Sequence, residues 1–176
     1  MTGNRLAKAE KAFFEGRYDS ASRLYLREIK SGSRDHRVHM RLAMTFYEQG
    51  KLADALEWNI SGLALAPGCP LLLCDRAAIL EGLGRHEEAI EAYNVIVRQD
   101  PTELAQQTCA RGLPWARGLV NDCRYRQALL YKRMGEPGQA ARLLTQHLEN
   151  RVWGAESVYS DEEVQRALDS ALQLTR

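Results

Sequence analysis

No stretch of this 176-residue chain approaches the roughly 20 consecutive apolar residues that cross a bilayer, so membrane insertion is not expected. Neither charge sign is in excess: Lys+Arg 24 against Asp+Glu 23 leaves +1. That balance removes any global argument for nucleic acid or an acidic membrane surface. Cysteine is sparse, with only Cys69, Cys74, Cys109 and Cys123. Their spacing fits neither zinc knuckles nor a dense disulfide framework, so reduced thiols and no metal are expected. Glycine-rich phosphate loops, HExxH and GxSxG are all missing, which argues against an enzyme and against a cofactor. The opening Met-Thr-Gly-Asn-Arg-Leu-Ala-Lys-Ala-Glu lacks a signal peptide's apolar stretch, so a cytoplasmic location is expected. His36 and His39 have no partner at ligand spacing and read as exposed histidines at a helix start. Cys109 or Cys123 could pair with His147 as nucleophile and base, but no spacing joins them, and buried thiols are the plainer account.

Strand signals are also scarce, and what remains is helical and periodic. Gly-x-x-x-x-Ala runs Gly16…Ala21, Gly50…Ala55 and Gly84…Ala89, 34 residues apart, with Gly135…Ala140 later and out of step. A fixed period of this size marks stacked supersecondary units. Leu42, Ala43, Phe46 and Tyr47 form one helical stripe before Gly50. Leu52, Ala55, Leu56, Asn59, Ile60 and Leu63 form the next before Pro67. Each period therefore reads as helix, glycine turn, second helix, and a loop often closed by proline.

This arrangement resembles the tetratricopeptide repeat family, in which small residues stand at positions 8 and 20 of each 34-residue unit. Here position 8 is Ala9, Ala43, Ala77 and Ala128, and position 20 is Ala21, Ala55, Ala89 and Ala140. A larger side chain at either place would push the paired helices apart. Pro67 and Pro101 stand at position 32. Departures occur at position 7, usually leucine, with Lys8, Arg76 and Gln127, and at position 27, usually alanine, with Glu28, Gly62, Ile96 and His147. The resemblance implies an all-α, right-handed superhelix in one domain over residues 1–176. Repeats 1 to 3 would span about 2–35, 36–69 and 70–103, with an inserted helix over about 104–120. Repeat 4 would span about 121–152, and a capping helix about 160–175.

The insert is where the phase jumps by 51 instead of 34. Pro101-Thr-Glu predicts a short helix over 102–111, and Pro114 then starts a long helix towards Met134. Trp115, Leu119, Cys123, Leu130 and Tyr131 would form its apolar face. Ser160-Asp-Glu-Glu163 is a capping box ahead of Val164, Ala167, Leu168, Ala171 and Leu172, a helical stripe.

In the family, first helices line a concave groove, which implies a non-catalytic scaffold or adaptor holding a protein or peptide partner. Carried over, the groove residues are Arg37, Met40, Arg41, Met44 and Tyr47 of repeat 2, Cys74 and Asp75 of repeat 3, and Asp122, Tyr125 and Arg126 of repeat 4. Met40 and Met44 read equally well as packing between repeats. Members that clamp chaperone C-termini need Lys, Asn, Asn, Lys and Arg where this chain has Leu6, Glu10, Arg41, Leu71 and Asp75, so that subtype is not expected. Residues 111–133 are locally basic, with Arg111, Arg117, Arg124, Arg126, Lys132 and Arg133 against Asp122. An RNA partner there is a minor reading beside plain solvation. A small secretion or assembly chaperone and a homo-oligomerising module are the alternative functions.

Overall fold

The computed structural model describes residues 2–151 and 157–175, with the backbone alone for residues 2–4. Among them the chain forms ten α-helices and no strand. They divide into two compact units, one up to Leu83 and one from Gly84. Unit 1 holds α1 (Thr2–Phe14), α2 (Tyr18–Lys30), α3 (His36–Glu48), α4 (Leu52–Leu65) and α5 (Pro70–Gly82). Unit 2 holds α6 (His86–Val97), α7 (Pro101–Leu104), α8 (Leu113–Arg133), α9 (Pro137–Glu149) and α10 (Asp161–Gln173).

The Gly-x-x-x-x-Ala motif acquires a physical meaning in these turns. Gly16, Gly50, Gly84 and Gly135 all have φ between 71° and 80°. The next residue's amide then reaches back across the helix end: Arg17 N–H donates to the Ala12 carbonyl at 2.9 Å, and Lys51 N–H to Phe46 at 2.9 Å. This left-handed cap satisfies carbonyls that a helix end would otherwise orphan, and only glycine adopts it without strain. The alanine five residues on sits where the second helix meets the first. All eight alanines at positions 8 and 20 are at most 1% exposed.

In unit 1, Ala9, Ala12, Ala21, Tyr25, Val38 and Leu42 form a core, with Leu6, Phe13, Phe46 and Trp58 packed on it. Burying a side chain the size of Leu42 is worth about 1.5–3 kcal/mol. Asn59 is fully buried on α4, and its Nδ2 donates to the Leu72 carbonyl of α5 at 2.9 Å. Gly62 explains one departure from the usual alanine. A Cβ there would lie 3.0 Å from Leu72 Cδ2 and 3.3 Å from His39 Cβ, so this contact is one methyl closer than usual.

In unit 2, Ala128, Ala140, Leu143 and Leu144 of α8 and α9 pack with Val164, Leu168 and Ala171 of α10. The capping box is formed: Ser160 Oγ accepts from Glu163 N–H, and the Glu163 carboxylate accepts from Ser160 N–H. Gln127 replaces the usual leucine and is 1% exposed, but its Nε2 donates to the Ile90 carbonyl and to Asn94 Oδ1 of α6. A buried amide with two partners escapes the desolvation cost of an orphan.

The insert departs from expectation. The helix predicted over 102–111 is the single turn α7, capped by Asp100, whose carboxylate accepts from Thr102 N–H at 2.7 Å. Thr108 and Cys109 are weak helix formers, Cys109 turns with φ 71°, and Gly112 has φ 88°. These turns lay buried Leu104 of α7 against α8. Nor is 104–120 a separate helix: its second half is the start of α8, which runs unbroken for 21 residues from Pro114 in its first turn.

Candidate functional site

On α3, Arg37, Met40, Arg41, Met44 and Tyr47 recur at three- and four-residue spacing and so share one face. Arg41 is the centre of that face. Its Nε lies 3.2 Å from Glu10 Oε1 of α1, and that carboxylate also accepts from the Tyr25 hydroxyl at 2.8 Å. Burial and the Glu10 charge push the Tyr25 phenol upward, so it stays a donor. The Arg41 guanidinium lies 5.6 Å from the Phe13 ring centre and 5.4 Å from Phe14. Phe14 itself is 71% exposed and packs edge-on against Phe13. An aromatic ring held rigidly yet left in water is the residue type that anchors protein interfaces.

The other unit 1 residues frame this centre. Arg37 bonds the Asp35 carboxylate that caps α3, which holds Asp35 below its ordinary range. Met40, Met44, Tyr47, Cys74 and Asp75 are half-buried. On α5, burial raises the Asp75 carboxyl from 3.8 to about 7, opposed by the Arg41 charge. The face thus combines apolar surface, two arginines already ion-paired, and a carboxyl raised toward neutral pH.

In unit 2, Asp122, Tyr125 and Arg126 are brought together at the start of one stretch of α8, but they do not face open water. Residues 157–159 lie on them. Ser157 Oγ donates to Asp122 Oδ1 at 2.6 Å, and Val158 N–H to Oδ2 at 3.4 Å. The Tyr159 ring lies 4.0 Å from Tyr125, centre to centre, and Arg126 hydrogen-bonds the Tyr159 hydroxyl. Burial raises the Asp122 carboxyl, partly offset by these two donors. Behind Tyr125, His147 is fully buried; its Nδ1 donates to the Asn121 carbonyl at 2.8 Å. Burial lowers the His147 pKa, which keeps the ring neutral. With Nδ1 given to the carbonyl, the ring's lone pair lies on Nε2, which is buried and has no hydrogen-bond partner.

The family model described as Tetratricopeptide repeat matches residues 6–70 and 61–103, together more than half of the chain. The chain belongs to the tetratricopeptide repeat family. Among solved structures, MamA is 18% identical with a TM-score of 0.66, covering 99% of this chain and 87% of that one. A tetratricopeptide repeat protein from Parabacteroides merdae ATCC 43184 is 18% identical with a TM-score of 0.71, covering 98% of this chain and 60% of that one. Both share the all-α repeat fold. No curated protein matches the chain.

Tetratricopeptide repeats are in general non-catalytic modules for protein interaction. Among the described residues no helix is long and apolar enough to cross a membrane. Two sequence readings need correction or supplement. His39 is not exposed: it is 6% exposed, bonds Ser61 Oγ at 3.0 Å and lies 5.7 Å from the Trp58 ring, because its helix face turns to α4. Sequence reasoning also missed a cleft of about 470 Å³ on unit 1, lined by Lys8, Lys11, Arg17, Arg23 and Arg27 of the first tetratricopeptide hairpin. The signal was available in the three- and four-residue spacings Lys8–Lys11 and Arg23–Arg27. The basic stretch of α8, by contrast, is dispersed. Arg124 bonds Asn121, Arg126 bonds Tyr159, and Lys132 bonds Ser170.

Proposed function

We propose that this tetratricopeptide protein is a non-catalytic adaptor that holds a peptide or helix of a partner against the first-helix face of unit 1. The observation that carries the reading is Phe14, exposed at the end of α1 and stacked on an arginine already ion-paired to Glu10. Met40, Met44, Tyr47 and Cys74 supply adaptable apolar area. Asp75 and Glu10 disfavour an acidic ligand, so the bound segment is apolar with a basic side chain directed at Asp75. A cytoplasmic location accords with four cysteines that form no disulfide among the described residues.

The test is affinity capture from the source lysate with wild type, Phe14→Ala and Arg41→Glu as baits. A partner retained by wild type and lost from both variants, while their melting transitions persist, supports the reading. Equal retention by all three baits removes it. Self-association through the same exposed ring is the second reading. Light scattering across a concentration series tests it, and a constant monomer mass removes it.

A further inference from the structure

The segment on α8 is bound in the manner of a ligand. Asp122 takes two donors from it, the Ser157 hydroxyl and the Val158 amide. Tyr125 takes its aromatic ring in a tilted stack at 31°. Arg126 meets the Tyr159 hydroxyl, and Arg151 Nη1 donates to the Tyr159 carbonyl at 2.8 Å. Between the two recognised side chains, Val158 is 77% exposed. The contacts therefore fall on alternate residues of a bent segment, whose turn is closed by Tyr159 N–H donating to Ser157 Oγ at 3.2 Å: hydroxyl recognised, next side chain left out, aromatic recognised. A peptide site reads a short motif in the same way, holding main-chain groups, here the Val158 amide and the Tyr159 carbonyl, and alternate side chains.

Tyr159 has a structural use as well. It precedes the Ser160 cap of α10 and packs on the core cluster that includes Val164, a hydrophobic staple. A staple needs only the ring. It explains neither the Ser157–Asp122 bond nor the hydroxyl bond to Arg126, both of which lie on the α8 side.

We propose that this α8 face is a peptide-recognition site for a segment carrying a hydroxyl residue two positions ahead of a tyrosine, and that residues 157–159 occupy it in cis. The inference rests on the reading of this chain as a peptide-binding adaptor and names the ligand class of its second unit. A partner segment of the same pattern competes with a tethered copy, whose effective concentration is on the order of millimolar. Weak free peptides are excluded, and only a partner presenting the motif at high local concentration enters.

The probe is a fluorescein-labelled Gly-Ser-Val-Tyr-Ser-Gly peptide, read by anisotropy against the full chain and its Ser157→Gly/Tyr159→Ala variant. The emptied variant is expected to bind about tenfold tighter than wild type, the tethered competitor being gone. Adding Asp122→Asn should abolish that gain. Replacing the probe's tyrosine with alanine should lose binding, whereas replacing its valine with lysine should change it by only about twofold. Equal binding by wild type and emptied variant, or none by a folded emptied variant, overturns the proposal. Should the emptied variant lose α10, wild type suffices. Millimolar peptide must accelerate hydrogen exchange at the Val158 amide, and unchanged exchange overturns the proposal. Phe14 and Arg41 belong to unit 1, so failure here leaves the lysate capture result standing, and the reverse also holds.

Discussion

Arg41 on α3 and Arg126 on α8 occupy the same register position of their repeats, and their surroundings differ. Arg41 is held by Glu10 over an aromatic ring that is 71% exposed. Arg126 meets Tyr159, an aromatic supplied by the chain's own later segment and stacked on Tyr125. Each unit thus pairs a position-6 arginine with an aromatic ring, but unit 1 leaves that ring to water and unit 2 covers its face. A repeat pattern specifies where interface residues stand. It does not specify whether the chain itself already occupies them.

The largest expected effect separates the two aromatics. Tyr159→Ala removes a half-buried ring from the core of α8, α9 and α10, and should cost about 2–3 kcal/mol, at the low end for aromatic truncation. Urea unfolding gives the size, and hydrogen exchange resolved by unit should place the loss in unit 2. A loss spread equally over both units would break the comparison.

Asp75 gives the next effect and a sign to check. Its carboxyl titrates near 7 in the fold and near 3.8 when unperturbed. Between those values the folded chain keeps a proton that the unfolded chain has released. Stability from this group therefore falls as pH rises from about 4 to 7, then levels off. Asp75→Asn removes the penalty, and should stabilise unit 1 by about 1–3 kcal/mol at pH 8 and by almost nothing at pH 4. The same destabilisation at both pH values would show that Asp75 is needed as an ion by Arg41.

Gly50→Ala should cost about 1 kcal/mol because φ is 71° with open space around it, so the cost is backbone strain and not a clash. Gly135→Ala, at φ 80°, should cost the same in unit 2. A difference between them in urea unfolding would mean that the turns are not equivalent.

These turns were the most legible part of the molecule. Gly-x-x-x-x-Ala encodes a left-handed cap and a close helix contact, and both are local consequences of one residue type at one place. The capping box at Ser160 and the start of α8 at Pro114 are local in the same sense. The short helix predicted over 102–111 stops at Leu104 because Pro101-Thr-Glu carries a good start signal while the end at Ala105 has no sequence signature. His39 was misread because exposure depends on where α4 lies, not on the spacing to His36. The covering of Asp122, Tyr125 and Arg126 was illegible for a similar reason. It joins residues more than 30 apart through a few hydrogen bonds and one ring stack, and no periodicity announces contacts that occur once.

The smallest stability effect carries the most functional weight. Phe14 is 71% exposed, so Phe14→Ala removes little buried area and should shift unfolding by no more than about 0.5 kcal/mol. The ring nevertheless sits on Phe13 and under Arg41, which fixes its orientation before any partner arrives. A partner that buries it gains a large apolar contact without first ordering the side chain, which is the condition for a binding anchor. Truncation should therefore weaken capture of the partner by about tenfold or more while the melting curve stays in place. Tyr159→Ala should do the opposite, lowering unit 2's stability while leaving unit 1's partner bound. If the two variants behave alike, the exposed and the covered ring are doing the same work, and the distinction between an open and an occupied face fails.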